Sequence, residues 1–167
     1  MRSDFEVTQA IERYSDTVKR LCMVYLKNNA DSEDIFQTVF LKYALHCAAF
    51  ESPEHENAWF IRVTINACKD LTRRAFRRKS VPLEAVAGLP EITEPDHREV
   101  LEAVLQLPEK YRVAIYLHYY EGYTAPEIGK LTGRNVNSVY TLLNRGKKMI
   151  REALEDETMG QCIDQRL

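Results

Sequence analysis

The stretch EGYTAPEIGKLTG, residues 121–133, decides how the C-terminal half of the chain folds. Gly122 ends one helical pattern, because glycine readily adopts the left-handed conformation that closes a helix. Thr124, followed three residues later by Glu127, forms a capping box that starts a new short helix. Gly133 then permits a tight turn. The pattern predicts a short capped helix with a sharp turn on either side.

A longer helix is predicted after this turn, with Asn135 as its N-cap and its end near Leu154. Val139 and Leu143 fall on the side that packs inward, and Gly129 in the short helix leaves room for a close crossing. The opposite side carries residues that can reach base edges or phosphates in a major groove, namely Asn137, Thr141, Asn144, Arg145 and Lys148. The spacing predicts a DNA-binding helix-turn-helix, although a plain helical corner containing glycine would show the same pattern.

The rest of the chain is also helical in pattern, apart from one interruption. Residues 80–96 contain four helix breakers, Pro82, Gly88, Pro90 and Pro95. We therefore expect an all-α protein of two small helical domains joined by a flexible linker. The expected boundaries are residues 1–79 for the first domain, 80–96 for the linker, 97–157 for the helix-turn-helix domain and 158–167 for a tail.

Two helices are predicted inside the first domain. The earlier one is expected to be capped by Asp31 or Ser32, which places Glu33 and Asp34 in its first turn, where the helix dipole favours acids. The later one is expected to begin near Glu56. In the second domain, Pro-Glu-Lys at residues 108–110 suits a further helix start.

Charge is segregated along the chain, although the net charge is only −2. Residues 62–79 carry a net +6 and residues 145–151 carry +4, whereas residues 84–102 carry −5. Two basic blocks separated by an acidic stretch indicate two surfaces that contact one polyanion. Charge runs that are merely solvated helix faces are the alternative.

Periodicity favours the polyanion for the first basic block. At 100° per residue, Arg62, Asn66, Lys69 and Arg73 fall on one side of a helix, opposite Ile61, Thr64 and Cys68. A solvated helix would usually mix acids among its bases, and Asp70 is the only acid in this block. The pattern predicts a helix that packs on one side and binds phosphates on the other.

Several classes of protein are excluded by what the sequence lacks. No apolar run approaches the roughly 20 residues of a membrane span, and no signal peptide is present, so we expect a cytoplasmic chain with no membrane insertion. The four cysteines are scattered, which argues against disulfides and a metal site. No catalytic or phosphate-loop motif occurs, so we expect no enzyme activity and no cofactor.

Four motifs, in order along the chain, resemble those of the extracytoplasmic-function sigma factors of bacterial RNA polymerase. DSEDIFQTVFL at residues 31–41 resembles the family's D-A-E-D-L-x-Q-E-x-F-L, and AWFIRVTIN at residues 58–66 resembles A-W-L-x-x-I-A-x-N. LPEKYR at residues 107–112 matches L-P-x-x-x-R, and residues 121–133 match E-G-x-S-x-x-E-I-A-x-x-x-G. Their shared order and spacing are more specific than any single motif.

The resemblance implies a transcription initiation factor that binds core RNA polymerase and promoter DNA. It assigns docking on the clamp helices of the largest subunit to Asp34, Gln37, Phe40 and Leu41, and implies the flap region as a further contact on the polymerase. Compensation of the helix dipole by Asp34 and core packing of Phe40 are the alternatives for those two residues. An anti-sigma factor is a further partner that the resemblance leaves open.

The resemblance also assigns DNA contacts. Minus-ten recognition and melting fall to Trp59, Arg62, Asn66, Lys69, Arg73 and Arg74. Phe50, Trp59 and Phe60 are the candidates for stacking on unpaired bases. For Trp59, core packing is the alternative. Minus-thirty-five contacts fall to Asn137, Ser138, Thr141, Asn144, Arg145 and Lys148. Tyr140 and Leu142 stand where the family usually has basic residues, which predicts weak duplex contacts. Gly146 stands inside the same helix, at a cost of about 1 kcal/mol relative to alanine.

A different function remains open from the helix-turn-helix alone: a DNA-binding regulator or phage packaging subunit that acts without polymerase. Such a protein would not need the acidic motif of residues 31–41 beside a basic helix. An enzyme such as a nuclease is the least favoured class, because its motifs are missing.

Overall fold

A computed structural model describes residues 1–77 and 98–164, with side chains described for residues 1–77 and 99–156. The described residues form helices and no strands: α1 (Asp4–Leu26), α2 (Asn29–Leu45), α3 (Pro53–Arg77), α4 (Arg98–Gln106), α5 (Glu109–Ile115), a π-helical turn (Tyr116–Tyr120), α6 (Ala125–Thr132) and α7 (Val136–Asp164). The chain divides into two compact units, Met1–Pro90 and Glu91–Leu167. The all-α prediction is confirmed, and the predicted linker lies outside the described residues.

The N-terminal unit is a three-helix arrangement in which each helix packs on the other two. Its centre consists of side chains with 2% exposure or less, including Val18, Leu21, Val39, Phe60, Ile61 and Ile65. Ser3 caps α1 through a reciprocal capping box with Glu6, and Lys27 closes the helix in the left-handed conformation at φ 54°. Local capping therefore fixes the ends of α1, and the shared apolar core fixes how α1, α2 and α3 pack.

The predicted starts of α2 and α3 are each wrong by about three residues. The cap of α2 is Asn28, whose Oδ1 accepts from the backbone N–H of Asp31. Ser32 is instead buried, and its hydroxyl donates to the Asn28 carbonyl at 2.6 Å. The first turn of α2 therefore contains Asp31 and not Glu33 or Asp34.

The start of α3 is set by a local signal that differs from the predicted one. The helix begins at Pro53, and the Ser52 hydroxyl accepts from the backbone N–H of His55 at 3.1 Å. A capping serine followed by proline in the first turn is a strong start signal. Glu56, the predicted start, lies three residues after Pro53, within the first turn of the helix.

The C-terminal unit contains the predicted helix-turn-helix, formed by α6 and α7. The Thr124–Glu127 capping box is present, and Gly133 closes α6 at φ 70°. The Asn135 side chain accepts from the backbone N–H of Asn137 at 2.8 Å, as expected of an N-cap. The predicted end near Leu154 is wrong, because α7 continues to Asp164.

None of the described helices is both long and apolar enough to cross a membrane.

Candidate functional site

Three of the four residues assigned to polymerase docking share one exposed line on α2. Asp34, Gln37 and Leu41 fall within about 60° of one another around the helix, and all three are exposed, Leu41 by 62%. Leu45 continues the line one turn later and is 58% exposed. It was not predicted, although its spacing of four residues from Leu41 is the signal that places it there. We call these four residues the α2 stripe.

Phe40, the fourth predicted docking residue, belongs to the core. It lies about 100° around the helix from Leu41 and is only 6% exposed. Its ring centroid is 4.7 Å from that of Phe36 and 5.3 Å from that of Phe60. The structure thus favours core packing, the alternative role of Phe40, and removes its side chain from the docking surface.

The predicted phosphate-binding side of α3 is present as a continuous surface. Arg62, Asn66 and Arg73 are exposed, and Lys69 is half-buried between them. The opposite side supplies the core, with Ile61, Thr64 and Cys68 at 1% exposure or less. We call Arg62, Asn66, Lys69 and Arg73 the basic stripe.

Arg74 and Asp70 lie beside the basic stripe and do not belong to it. Arg74 is exposed but projects about 100° away from Arg73, so it flanks the stripe instead of extending it. Asp70 forms only a long ion pair with Arg73, 4.0 Å between Nη1 and Oδ1, and both side chains are largely exposed. Exposed pairs of this kind contribute little, so the stripe keeps its positive character.

An aromatic cluster lies at the start of α3 and the loop that precedes it. The half-buried Trp59 ring contacts the rings of Tyr43, His46, Phe50 and Phe60, with centroid distances between 5.1 and 5.9 Å. Phe60 is fully buried and therefore a core residue, which makes its candidacy for base stacking wrong. Phe50 and Trp59 retain accessible surface next to the basic stripe.

Arg2 holds this aromatic cluster from the N-terminal side. Its guanidinium lies 4.5 Å from the centre of the Tyr43 ring and 5.1 Å from that of Phe50. Its Nη2 donates to the Ala48 carbonyl at 2.9 Å, and its backbone N–H donates to the Ala44 carbonyl. A planar cation can stack on rings and donate in its own plane simultaneously. Arg2 thereby fixes the loop between α2 and α3.

One carboxylate connects all three helices of the N-terminal unit. Glu56 on α3 accepts from the Tyr14 hydroxyl of α1 at 2.8 Å and from the Tyr43 hydroxyl of α2 at 2.7 Å. Burial and the hydrogen bond to Glu56 raise the pKa of Tyr43 to about 12, and burial likewise raises the pKa of Tyr14. The helix that carries the α2 stripe and the helix that carries the basic stripe are therefore joined by a hydrogen bond between Tyr43 and Glu56.

On α7, all six residues assigned to minus-thirty-five contacts are exposed. They are Asn137, Ser138, Thr141, Asn144, Arg145 and Lys148. Val139 and Leu143 are buried on the opposite side, at 0% and 5% exposure. The helical wheel therefore identified the exposed side of α7 correctly for five of the six residues, and Ser138, which only the resemblance assigned, is exposed as well.

Tyr140 and Leu142, the two departures from the family pattern, have different surroundings. Tyr140 is 52% exposed, next to the surface that the six polar residues form, whereas Leu142 is only 7% exposed. Leu142 lies 60° from Val139 around the helix. It is a core residue, so only Tyr140 bears on contacts with a duplex.

Close packing fixes the position of α7. A Cβ at Gly146 would lie 2.9 Å from Ile115 Cγ1, and one at Gly129 would lie 2.7 Å from the Arg134 carbonyl oxygen. Gly146 is therefore required for the contact of α7 with α5 and is not simply a helix-weakening residue. Arg112 is another residue with a role that the sequence did not reveal, since its buried guanidinium donates to the Leu107 carbonyl at 2.9 Å.

The part of the chain that the structure describes contains no group of three or more His, Cys, Asp or Glu side chains placed to hold a metal. Cys22 and Cys68 are buried free thiols, and Cys47 is an exposed one.

The comparison with protein families matches both units of the chain. Residues 10–78 match sigma-70 region 2, and residues 97–150 match sigma-70 region 4. The basic helix and the acidic motif lie in the first match, and the helix-turn-helix lies in the second. The match over residues 10–78 favours a sigma factor over a regulator or packaging subunit built on the helix-turn-helix alone.

Similar proteins point the same way. The chain is 29% identical over 143 residues to the RNA polymerase sigma factor SigV of Bacillus subtilis, covering 84% of this chain and 86% of SigV. It is 27% identical over 165 residues to the ECF RNA polymerase sigma factor SigW of the same organism, covering 87% of each chain. The fold resembles that of the sigma factor RpoE from Bartonella quintana, solved with the anti-sigma factor NepR, with a TM-score of 0.76, 19% identity, and coverage of 90% of this chain and 97% of that one.

The matched regions, the related sequences and the fold agree with the four motifs. The chain belongs to the sigma-70 family, as an alternative sigma factor of the extracytoplasmic-function type that directs RNA polymerase to initiate transcription.

Proposed function

We propose that this sigma factor docks on the clamp helices of the polymerase largest subunit through the α2 stripe. The observation that supports this is the exposure of Leu41 and Leu45 on the same line as Asp34 and Gln37. Two exposed leucines one turn apart have no role in the core, and a protein surface that covers them gains about 1.5–3 kcal/mol for each side chain fully buried. Asp34 and Gln37 supply the polar rim of the contact.

The basic stripe of α3 is the proposed contact with the minus-ten element. Its cations lie on one side of a helix whose other side is locked in the core, so a displaced DNA strand can follow them with its phosphates. Trp59 and Phe50 at the start of the helix offer ring surface to unpaired bases. We infer that α3 holds the strand that is displaced as the promoter opens.

The exposed surface of α7 is the proposed contact with the minus-thirty-five element. Asn, Thr and Arg side chains there can bond to base edges, and Lys148 can bond to a phosphate. Tyr140 lies at the edge of this surface without a charge, so the C-terminal unit alone should bind duplex weakly. Polymerase, contacted through its flap region, then supplies the additional binding by linking the two units to one promoter.

Docking can be tested with the double variant Gln37→Ala/Leu41→Ala. We expect its affinity for purified core polymerase to fall by roughly tenfold or more, since a buried leucine side chain contributes about 1.5–3 kcal/mol. The matched control is Ile11→Ala/Lys42→Ala, which removes one exposed aliphatic and one exposed polar side chain outside the stripe. Equal affinity of the two double variants would rule out the assigned surface.

The roles of the two DNA-contacting surfaces can be separated by footprinting the holoenzyme on a promoter selected by run-off transcription. Arg62→Ala/Lys69→Ala should keep upstream protection but lose permanganate-reactive thymines in the bubble. Thr141→Ala/Arg145→Ala should lose upstream protection. Each phosphate contact removed should lower the salt slope of binding by about 1. Identical failure of both variants would contradict this division.

An anti-sigma factor is a proposed partner as well. The similar RpoE structure contains one, and a protein that covered the α2 stripe would compete with core polymerase for it. We propose that this exchange takes place in the cytoplasm, where the polymerase acts.

A further inference from the structure

Phe76 is one of two phenylalanines, with Phe5, that are largely exposed among the described residues of the N-terminal unit. It is 86% exposed, although it lies within the regular helix α3. Other large apolar residues of this helix, such as Phe60 and Ile65, are fully buried. Packing among the described residues therefore gives no reason for a phenylalanine at this position.

The position of Phe76 relates it to the basic stripe. It lies about 20° from Lys69 and about 40° from Arg62 around the helix axis, and Arg73 precedes it by one turn. From Arg62 to Phe76 the helix extends about 21 Å. Cations and ring thus follow one another along a single continuous edge of α3.

The charge around Phe76 indicates the chemistry of its partner. Residues 69–77 contain four basic residues and one acid, Asp70. An apolar protein groove that received the ring would also have to remove these cations from water, which is costly without compensating charges. A single DNA strand supplies phosphates for the cations and a flat base for the ring, whereas a duplex keeps its bases stacked on one another.

We propose that Phe76 stacks on an unpaired base of the DNA strand whose phosphates follow the basic stripe. It is then a DNA-contacting residue at the C-terminal end of α3, beyond those that the motifs indicate. The proposal rests on the role proposed above for α3 in strand opening.

The test measures binding of the full chain, at low salt, to two labelled probes of 15 nucleotides. One is single-stranded DNA of mixed sequence, and the other is the same backbone with every base removed. The wild-type chain should prefer the strand with bases. Phe76→Ala should lower its affinity for that strand by about 5- to 150-fold, the usual range for one stacked base, and leave its affinity for the abasic strand unchanged.

Two further variants distinguish stacking from apolar packing. Phe76→Trp should retain the preference for bases, whereas Phe76→Leu, which keeps an apolar side chain without a ring face, should lose it. The same order should hold for permanganate reactivity in the holoenzyme. Phe5→Ala, a change at a phenylalanine on α1 that is 68% exposed, should alter neither readout.

Each opposing result has a distinct meaning. Full activity of Phe76→Leu in the holoenzyme would assign Phe76 to a protein contact and overturn the proposal. Equal loss on both probes, or no wild-type preference for bases, would also overturn it. Failure of Arg62→Ala/Lys69→Ala to weaken binding to either probe would instead refute the proposed role of α3, and the proposal for Phe76 with it.

Discussion

Replacing Glu56 by alanine should destabilise the whole N-terminal unit and not only the start of α3. Its two carboxylate oxygens each accept one buried tyrosine hydroxyl, from Tyr14 on α1 and Tyr43 on α2. The variant therefore removes a connection between three helices and leaves two buried hydroxyls without this acceptor.

The size of the effect follows from these contacts. A hydrogen bond to a charged acceptor contributes about 1.5–3 kcal/mol. The ion pair with Arg13 adds little, since the nitrogen–oxygen distance is 3.9 Å and Arg13 is exposed. Water entering the space that the side chain leaves will recover part of the loss, so we expect a destabilisation of about 2–4 kcal/mol. A unit of this size has a total stability of roughly 4–12 kcal/mol, so the loss is a large share of it.

The single tryptophan of the chain makes the measurement specific. Trp59 lies in α3, so its fluorescence during urea unfolding reports on the N-terminal unit alone. A loss of 2–4 kcal/mol should lower the urea midpoint by roughly 1–3 M. Glu54→Ala is the matched control, because Glu54 is an exposed acid in the same first turn that takes part in the same dipole interaction without the tyrosines. An equal shift in both variants would refute the reasoning.

Three further predictions concern pH, packing and the helix-turn-helix. The stability advantage of the wild type over Tyr43→Phe should be complete below pH 10 and shrink as the pH rises towards 12. The reason is that folding raises the pKa of Tyr43 to about 12 from about 10 in the unfolded chain. Urea midpoints of the two proteins that differ equally at pH 8 and pH 11 would contradict this. Gly146→Ala should destabilise the C-terminal unit by up to about 2 kcal/mol. The overlap of the new Cβ with Ile115 costs about 1–3 kcal/mol, of which the higher helix propensity of alanine returns about 1 kcal/mol, and the loss in thermal melts should disappear in an Ile115→Ala background. Tyr140→Arg should strengthen duplex binding in gel shifts while Leu142→Arg should unfold the C-terminal unit, and a folded Leu142→Arg chain would show that the buried position is wrongly assigned.

The sequence predicted the elements whose signals are local. The capping box of Thr124 with Glu127 and the left-handed Gly133 act within a few residues, so the helix-turn-helix could be placed from spacing alone. The basic stripe followed from the same kind of reasoning, because a helix 25 residues long keeps its angular order without help from its neighbours.

The starts of helices were harder to predict, because several residues could serve equally well as caps. Asn28, Asp31 and Ser32 are all good N-cap residues. The choice depends on tertiary structure, since Ser32 is buried against α1, where its hydroxyl lies 3.6 Å from Met23 Sδ. Such a contact is invisible to a local pattern.

The residues that the resemblance misplaced show the limit of motif matching. A motif assigns a role to a position, whereas burial decides whether the side chain can perform it. Phe40 and Leu142 both occupy positions of interest in the family pattern, yet both are core residues here. The helical wheel alone already places Leu142 within 60° of the buried Val139, and for this residue periodicity was the better guide.

The charges beside an exposed apolar side chain indicate which partner it binds, whereas its exposure alone does not. Leu41 and Phe76 are both largely exposed on helices of the same unit. Leu41 lies in line with Asp34, whose carboxylate would repel a phosphate backbone, and with the neutral Gln37. This combination suits a protein surface that brings donors and an apolar pocket. Phe76 lies among the cations of α3, which attract a phosphate backbone and would be costly to bury against protein. The contrast supports the proposed contacts of α2 with polymerase and of α3 with DNA on physical grounds that do not depend on the motifs. A variant that exchanged the charges beside either residue should therefore weaken binding of that residue's own partner and leave binding of the other partner unchanged.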